Sequence, residues 1–206
     1  MINLPKNIKK IAQFLEILPG IGEKTANRLA LYFLRLPQEK LEEFAVAVTQ
    51  LKEKTKLCRI CFNLTEDEFC SICQDKNRKQ EEVMVVEEVL DVLSFEKGGI
   101  YQGVYHVLHG RIDPLNHIGP DDIKIKPLLE RILENNRIKE IIIATNPDLE
   151  GEATAMYLTE KIKDLSSKQN RNIKISRLGY GLPIGAEIEY ADYLTLKNAL
   201  ENRRKY

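Results

Sequence analysis

The chain has 206 residues, no Trp, and 31 Lys+Arg against 31 Asp+Glu, with 43% hydrophobic and 30% charged residues. This is the balance of a soluble globular protein, long enough for one large domain or for two small ones and a finger. No apolar run reaches the ~20 residues of a membrane span, and Met1-Ile-Asn-Leu-Pro-Lys6 lacks a signal-peptide core, so the expected setting is the cytoplasm, with no membrane partner.

The net charge of zero hides an uneven distribution. Residues 1–57 carry 10 basic and 6 acidic side chains, residues 81–170 carry 10 and 17, and residues 171–206 carry 7 and 4. A nucleic-acid partner would therefore meet the first segment rather than the middle.

Leu4, Ile8, Ile11, Ala12, Leu15 and Leu18 recur at helical spacing, with Pro5 placed for a first turn. Leu18-Pro-Gly-Ile-Gly22 breaks that helix. A second is expected from Glu23 to about Leu36, with Ala26, Leu29, Ala30 and Phe33 on its apolar face, and a third from Gln38 to Leu57. Gly20 and Gly22 let the backbone turn tightly and approach another chain. Their amides and the start of the next helix form an anion-binding corner. Lys24 and Arg28, four apart, share a face of that helix, and Arg35 follows near the same stripe. The pattern resembles the helix-hairpin-helix motif, which grips DNA backbone without reading bases. A plain helical hairpin would explain the glycines but not the basic stripe.

All four cysteines fall in two Cys-x-x-Cys turns, Cys58/Cys61 and Cys70/Cys73, with eight residues between them. Two such turns supply the four thiolates of a tetrahedral site, and Zn²⁺ suits them best. An iron–sulfur cluster uses the same ligands, and two disulfides would need an oxidising compartment. A closed four-sulfur zinc site is structural, because it has no open position for a substrate.

From residue 81 onward, strands and helices alternate. Strands are expected at 83–87, 103–108, 139–145 and 173–176, and helices at 88–95, 123–136 and 151–163, with a long loop over 109–122. Such alternation builds a parallel sheet covered on both faces, with ligands at the carboxyl ends of its strands. Glu87 ends the first strand, and Asn146-Pro-Asp148-Leu-Glu150-Gly-Glu152 follows the third. A Glu and a carboxylate-rich glycine turn on one edge is how a Mg²⁺ site for phosphoryl chemistry would be made. The arrangement resembles the Toprim domain of topoisomerases, primases and some nucleases, whose signature is a Glu after one strand and an Asp-x-Asp turn after another. Here Asn146 stands where the first Asp belongs, which removes a negative charge, so no catalysis is expected. His106, His109 and His117 share no ligand spacing.

In the tail, Arg177 to Ala186 holds three glycines and a proline without the Lys-Ser/Thr of a phosphate loop. Glu187–Tyr190 is expected as a short strand and Asp192 to about Asn202 as a helix. A tail this short needs something to lie against, and three helices are little chain for a core at the other end. Both ends therefore call for self-contacts, and two distinct two-fold contacts generate a closed dihedral assembly.

The expected fold class is an α+β/α-β multidomain chain. It comprises a helix-hairpin-helix domain (1–57), a small four-cysteine zinc finger (58–73), a Toprim-type parallel α/β sheet (81–176) and a strand/helix tail making an oligomer contact (177–206).

These pieces in this order resemble the RecR family of bacterial recombination mediators over essentially the whole chain. The resemblance rests on Leu18-Pro-Gly-Ile-Gly-Glu-Lys24 with Arg28, the four cysteines, Pro114-Leu-Asn-His-Ile-Gly-Pro-Asp-Asp122, Ala144-Thr-Asn-Pro-Asp-Leu-Glu-Gly-Glu-Ala-Thr154 and Gly181-Leu-Pro-Ile-Gly-Ala-Glu-Ile-Glu-Tyr190. It implies a non-enzymatic, nucleoid-associated DNA-repair protein that acts with RecO, and in some settings RecF. Its task would be to load RecA on single-stranded DNA covered by single-strand-binding protein, as a tetrameric ring around DNA. It implies DNA contacts at Gly20, Gly22, Lys24 and Arg28, structural zinc at the cysteines, and Glu87, Asp148 and Glu150 as an acidic surface for a basic partner such as RecO. Asn146 is typical of the family. Asp148 is less so and moves the turn back toward a metal site, and His109 stands where a glycine is expected. Two rivals remain: a Toprim-type metal-dependent nuclease or nicking enzyme using Glu87, Asp148 and Glu150, and a scaffold that binds proteins but not DNA.

Overall fold

The computed structural model describes residues 4–203. The chain divides into two compact units, Met1–Lys54 and Thr55–Tyr206.

In the first unit, α1 (Lys6–Glu16) and α2 (Glu23–Phe33) pack on each other through Ile8, Ala12, Ala26 and Ala30, with Leu4, Leu15 and Ile21 at the margin. The alanines let the two helices approach closely, but they bury little apolar area. α3 (Gln38–Lys54) buries no residue and touches α2 through the Phe33 and Phe44 rings, 5.6 Å apart. Phe14, Ile17, Leu34, Phe44, Val48 and Leu51 stay exposed. The third helix stops at Lys54, not at Leu57, because Lys56–Leu57 (β1) is drawn into an antiparallel ribbon with Leu64–Thr65 (β2).

The second unit is a four-stranded parallel sheet in the order β4-β3-β5-β6, formed by Lys79–Val86 (β3), Gly103–Val107 (β4), Glu140–Ala144 (β5) and Lys174–Arg177 (β6). Residues alternate between its faces. Val83, Val85, Val104, Ile141 and Ile143 point to one face, where α6 (Ile125–Glu134) and α7 (Leu149–Lys168) supply Leu128, Ile132, Leu158 and Ile162. Met84, Val86, Tyr105, Val107 and Ala144 point to the other, where α5 (Val89–Gly98) supplies Val92. The rest of that second layer is the cysteine finger, with α4 (Ser71–Gln74) and the buried Cys58, Cys61 and Cys70. A parallel sheet needs both faces covered, and here a finger does part of what a helix normally does.

The finger also closes an edge. Three outward-facing main-chain groups of β4 find partners, one of them in the finger. The Gly103 carbonyl accepts from Arg78 at 3.2 Å, the Tyr105 carbonyl accepts from Arg131 at 2.7 Å, and the Val107 amide donates to the Cys61 carbonyl at 2.8 Å.

One expected element is corrected. Glu187–Tyr190 is not a strand: Ile188–Tyr190 is a 3₁₀ turn following Glu187, with the Tyr190 and Ala191 amides donating to the Glu187 and Ile188 carbonyls. The tail ends in α8 (Tyr193–Glu201), capped by Asp192 and without a buried residue.

Candidate metal centre, acidic turn and basic helix

The four cysteine sulfurs lie within 4.8 Å of one another, and Cys61 and Cys70 Sγ are 3.4 Å apart. Zn–S bonds of about 2.3 Å at tetrahedral angles put sulfurs about 3.8 Å apart, so the set fits zinc. The first knuckle is pinned by the Cys58 amide on the Asn63 carbonyl (2.8 Å) and the Phe62 amide on the Cys58 carbonyl (2.9 Å), which forces Phe62 to a φ of 61°. The second is the start of α4, where the Gln74 amide donates to the Cys70 carbonyl at 3.1 Å. The neighbouring Cys70 sulfur and burial push the Cys61 thiol up. Four buried sulfurs this close cannot all ionise alone, and a divalent cation reverses that preference. Among the described residues, these cysteines are the one group of three or more His, Cys, Asp or Glu side chains close enough to hold an ion.

The acidic turn is differently made. Glu87, 4% exposed, sits beneath the surface and accepts from the Asn146 amide and side-chain nitrogen at 2.8 Å each. Asn146 therefore acts as a donor to Glu87, where an aspartate would repel it. The Arg111 guanidinium lies 3.9 Å from Glu87 and is hydrogen-bonded to Asp148. The carboxylate that moved the sequence toward a metal site is thus matched by an arginine standing where a cation would. Burial raises the Glu87 pKa, while the Asn146 bonds and Arg111 oppose that rise. Asp148 also caps α7 through the Gly151 amide at 2.8 Å. A Cβ on Gly151 would meet the Asn146 carbonyl oxygen at 2.1 Å, so only glycine fits. Glu150, in the first turn of α7, is half-buried and makes no direct ion pair with Arg111. Arg177, at the end of β6, braces the turn from the other side, donating to the Thr145 carbonyl (2.7 Å) and the Asn146 carbonyl (3.2 Å) and pairing with Glu152, which also takes the Tyr180 hydroxyl. Arg111, Arg177 and Tyr180 were not singled out from sequence. Inspecting every charged residue just past each strand would have found both arginines.

None of the three histidines reaches a metal-type cluster among the described residues. His106 is fully buried, its Nε2 2.8 Å from the Lys124 carbonyl, and burial pushes its pKa down to about 3. His109 has a φ of 56°, the conformation for which a glycine was expected, and its Nε2 lies 2.6 Å from the Phe62 carbonyl.

In the first unit, Gly20 has a φ of 80°, and the Ile21 amide closes the turn on the Leu18 carbonyl at 3.1 Å. Gly22 is the N-cap of α2, and a Cβ at either glycine would point into open space. Lys24 and Arg28 are exposed on the side of α2 opposite the buried Ala26 and Ala30, and Arg35 is exposed in the turn just past its end. Arg28 and Arg35 share a shallow groove with Leu31 and Tyr32. Among the described residues of this unit the ion pair present is Lys40–Glu43, so the stripe is not neutralised from within.

A helical hairpin, a four-cysteine finger and a Toprim-type sheet in one chain define a class of multidomain nucleic-acid-handling protein. The comparisons resolve it further. The chain matches the RecR helix-hairpin-helix family over residues 8–52, the RecR four-cysteine zinc finger domain over 55–75, the Toprim domain over 81–179 and the RecR C-terminal family over 181–204. It is 48% identical to the recombination protein RecR of Carboxydothermus hydrogenoformans over 197 residues, 96% of each chain. It is 48% identical to that of Enterococcus faecalis over 204 residues, 99% of this chain and 100% of the relative. With that of Lactobacillus johnsonii it shares 47% over 186 residues, 90% of each. The chain belongs to the RecR family, and its four cysteines form the family's structural zinc site.

Proposed function

We propose that this chain is a non-enzymatic mediator of recombinational DNA repair that grips DNA backbone through Gly20, Gly22, Lys24 and Arg28. It works with RecO, and in some settings RecF, to load RecA on single-stranded DNA in the cytoplasm, close to the nucleoid. The observation that carries this reading is the exposed, unpaired cationic stripe of α2 beside the Gly20–Gly22 turn. Residues 1–57 are the DNA-binding domain, 58–73 the finger, 81–176 the Toprim domain and 177–206 the oligomer contact. Self-association into dimers and a tetrameric ring is supported by the apolar residues left exposed on α1, α3 and α8. A ring would set several Lys24/Arg28 stripes around one duplex, so that weak contacts add as effective concentration.

Asp148 and Glu150, with Glu87 beneath them, offer the acidic face for a basic partner such as RecO. The nuclease alternative is disfavoured, because Asn146 and Arg111 occupy the places where two-metal chemistry wants a carboxylate and an ion.

Binding of full-length protein to single- and double-stranded oligonucleotides as a function of salt tests the DNA reading. Lys24→Ala with Arg28→Ala should weaken all sequences alike, with the fold intact. Each lost phosphate contact should flatten the log–log salt slope by about 0.7–0.9. Unchanged affinity in the double variant would place the DNA surface elsewhere.

A further inference from the structure

A zinc ion held by four thiolates carries a net charge of about −2, and here that charge lies in a buried layer against the sheet. A buried charge without a counter-charge is strongly destabilising. The finger supplies little compensation itself: the Asn63 amide is 3.5 Å from the Cys61 sulfur.

Across the β4 edge stands a cation with the opposite deficit. Arg131, on α6, reaches into a groove shared with Ile60 and Phe62 of the first knuckle. Its guanidinium donates to the Tyr105 carbonyl at 2.7 Å. Two residues along the same strand edge, the Val107 amide holds the Cys61 carbonyl. The Tyr105 side chain itself belongs to the apolar cluster that contains Cys58, Cys61 and Cys70. Among the described residues no carboxylate pairs with Arg131; the arginine ion pairs of this unit belong to Arg59, Arg78, Arg111 and Arg177. A guanidinium has five donors, and half-buried Arg131 spends one of them on a carbonyl and none on a carboxylate among the described residues. Burial lowers the Arg131 pKa, and the sulfurs of Cys73, Cys61 and Cys58 are what opposes that drop.

We propose that Arg131 is the counter-charge of the zinc tetrathiolate, a positioning residue that ties α6 to the finger and sets how tightly the metal is held. The half-buried cation and the buried dianion complete each other across one strand edge. Arginine suits the place, being more weakly hydrated than lysine and charged at any working pH. The Toprim helix α6 thereby becomes part of the metal site without contributing a ligand.

The test is zinc affinity of the full-length protein, measured by competition with a chromophoric chelator, for wild type, Arg131→Lys and Arg131→Met. Outer-shell partners of metal ligands are typically worth about 10–100-fold in affinity. Arg131→Met should lose that much, and Arg131→Lys, which keeps the charge, should stay within about threefold of wild type. A merely structural role would lower thermal stability of the zinc-loaded protein and leave zinc affinity unchanged, which would overturn the proposal. Lys falling as far as Met would also overturn it, since charge would not be the cause. Should the Met variant not fold, Arg131→Gln keeps a donor for the Tyr105 carbonyl without the charge, and wild-type zinc affinity in that variant overturns the proposal equally.

Discussion

The finger and the Toprim turn both gather acidic or acid-forming groups against the same sheet, yet they end in opposite states. In the finger, four sulfurs converge on one point with nothing between them, and only an ion can reconcile them. In the turn, Glu87 takes both nitrogens of Asn146, and Arg111 bridges to Asp148, so the negative charge is already answered by the chain. What makes a metal site is therefore not the ligand type alone but whether the fold has left the ligands unsatisfied.

The largest effect should come from breaking the unsatisfied set. Metal-coupled folding is worth about 10–16 kcal/mol in finger peptides, and part of that is expected here. Cys61→Ala should yield zinc-poor, aggregating protein, because losing the finger uncovers Met84, Val86, Tyr105 and Val107. Elemental analysis together with circular dichroism reads this; a zinc-free, well-folded variant would contradict it.

The next effect is set by pH at the seam between finger and sheet. His106 is held neutral, with its pKa depressed to about 3 and its ring 5.3 Å from that of Phe62. The unfolded chain takes up this proton near pH 6.5. The unfolded state therefore binds more protons between about 6.5 and 3, and stability falls as pH falls through that window, by a few kcal/mol in total. Asp113, Glu140 and Glu152, whose pKa values are lowered, add their losses below about pH 4.5. Zinc release on thiolate protonation adds to the slope in both proteins, so the difference between them isolates the histidine. In His106→Gln, the pH profile of thermal unfolding should be shallower than wild type between about 6.5 and 5; a profile unchanged from wild type would exclude this origin.

On the acidic side, the turn's rigidity can be broken sterically. Gly151→Ala sets a methyl against the Asn146 carbonyl and should cost about 1–3 kcal/mol by overpacking, read as a shift of the denaturant midpoint at constant slope. An unshifted midpoint would mean the turn yields freely.

The smallest stability change is expected from Arg111→Gln, at about 1 kcal/mol or less for a pair this exposed. Its value is chemical. If the turn is silent because Asn146 is no ligand, then removing Arg111 should still produce neither cleavage nor relaxation of plasmid DNA with Mg²⁺ or Mn²⁺. Cleavage that Glu87→Gln abolishes would show that Arg111 alone had been suppressing a nuclease.

The finger was legible because its ligands are one residue type at fixed local spacing, and the sheet because Val83–Val86, Val104–Val107 and Ile141–Ile143 are short apolar runs separated by helical patterns. The ends of elements were less so. Lys56–Leu57 reads as a continuation of α3 until its ribbon partner is known, and Glu187–Tyr190 has strand-like residues but closes its amides locally. Glu87, Asn146 and Asp148 were visible, but not Arg111, which answers both carboxylates. Arg111 and Asp148 are 37 positions apart and Arg131 and Tyr105 26 apart, and no local period connects such pairs. The charge asymmetry along the chain pointed to a basic first segment but could not say that Lys24 and Arg28 would form no ion pair among the described residues.

The two rims of the sheet are not equivalent. The β4 rim is partly covered by a cysteine knuckle and two arginines, while the outward main-chain groups of Ile175 and Arg177 on β6 have no partner among the described residues. Unsealed strands invite pairing with another chain. Zinc thus gives the sheet a polarity: the knuckle it organises occupies the Val107 end of the β4 rim, while the β6 rim, from which the glycine-rich tail departs, has no such cover among the described residues.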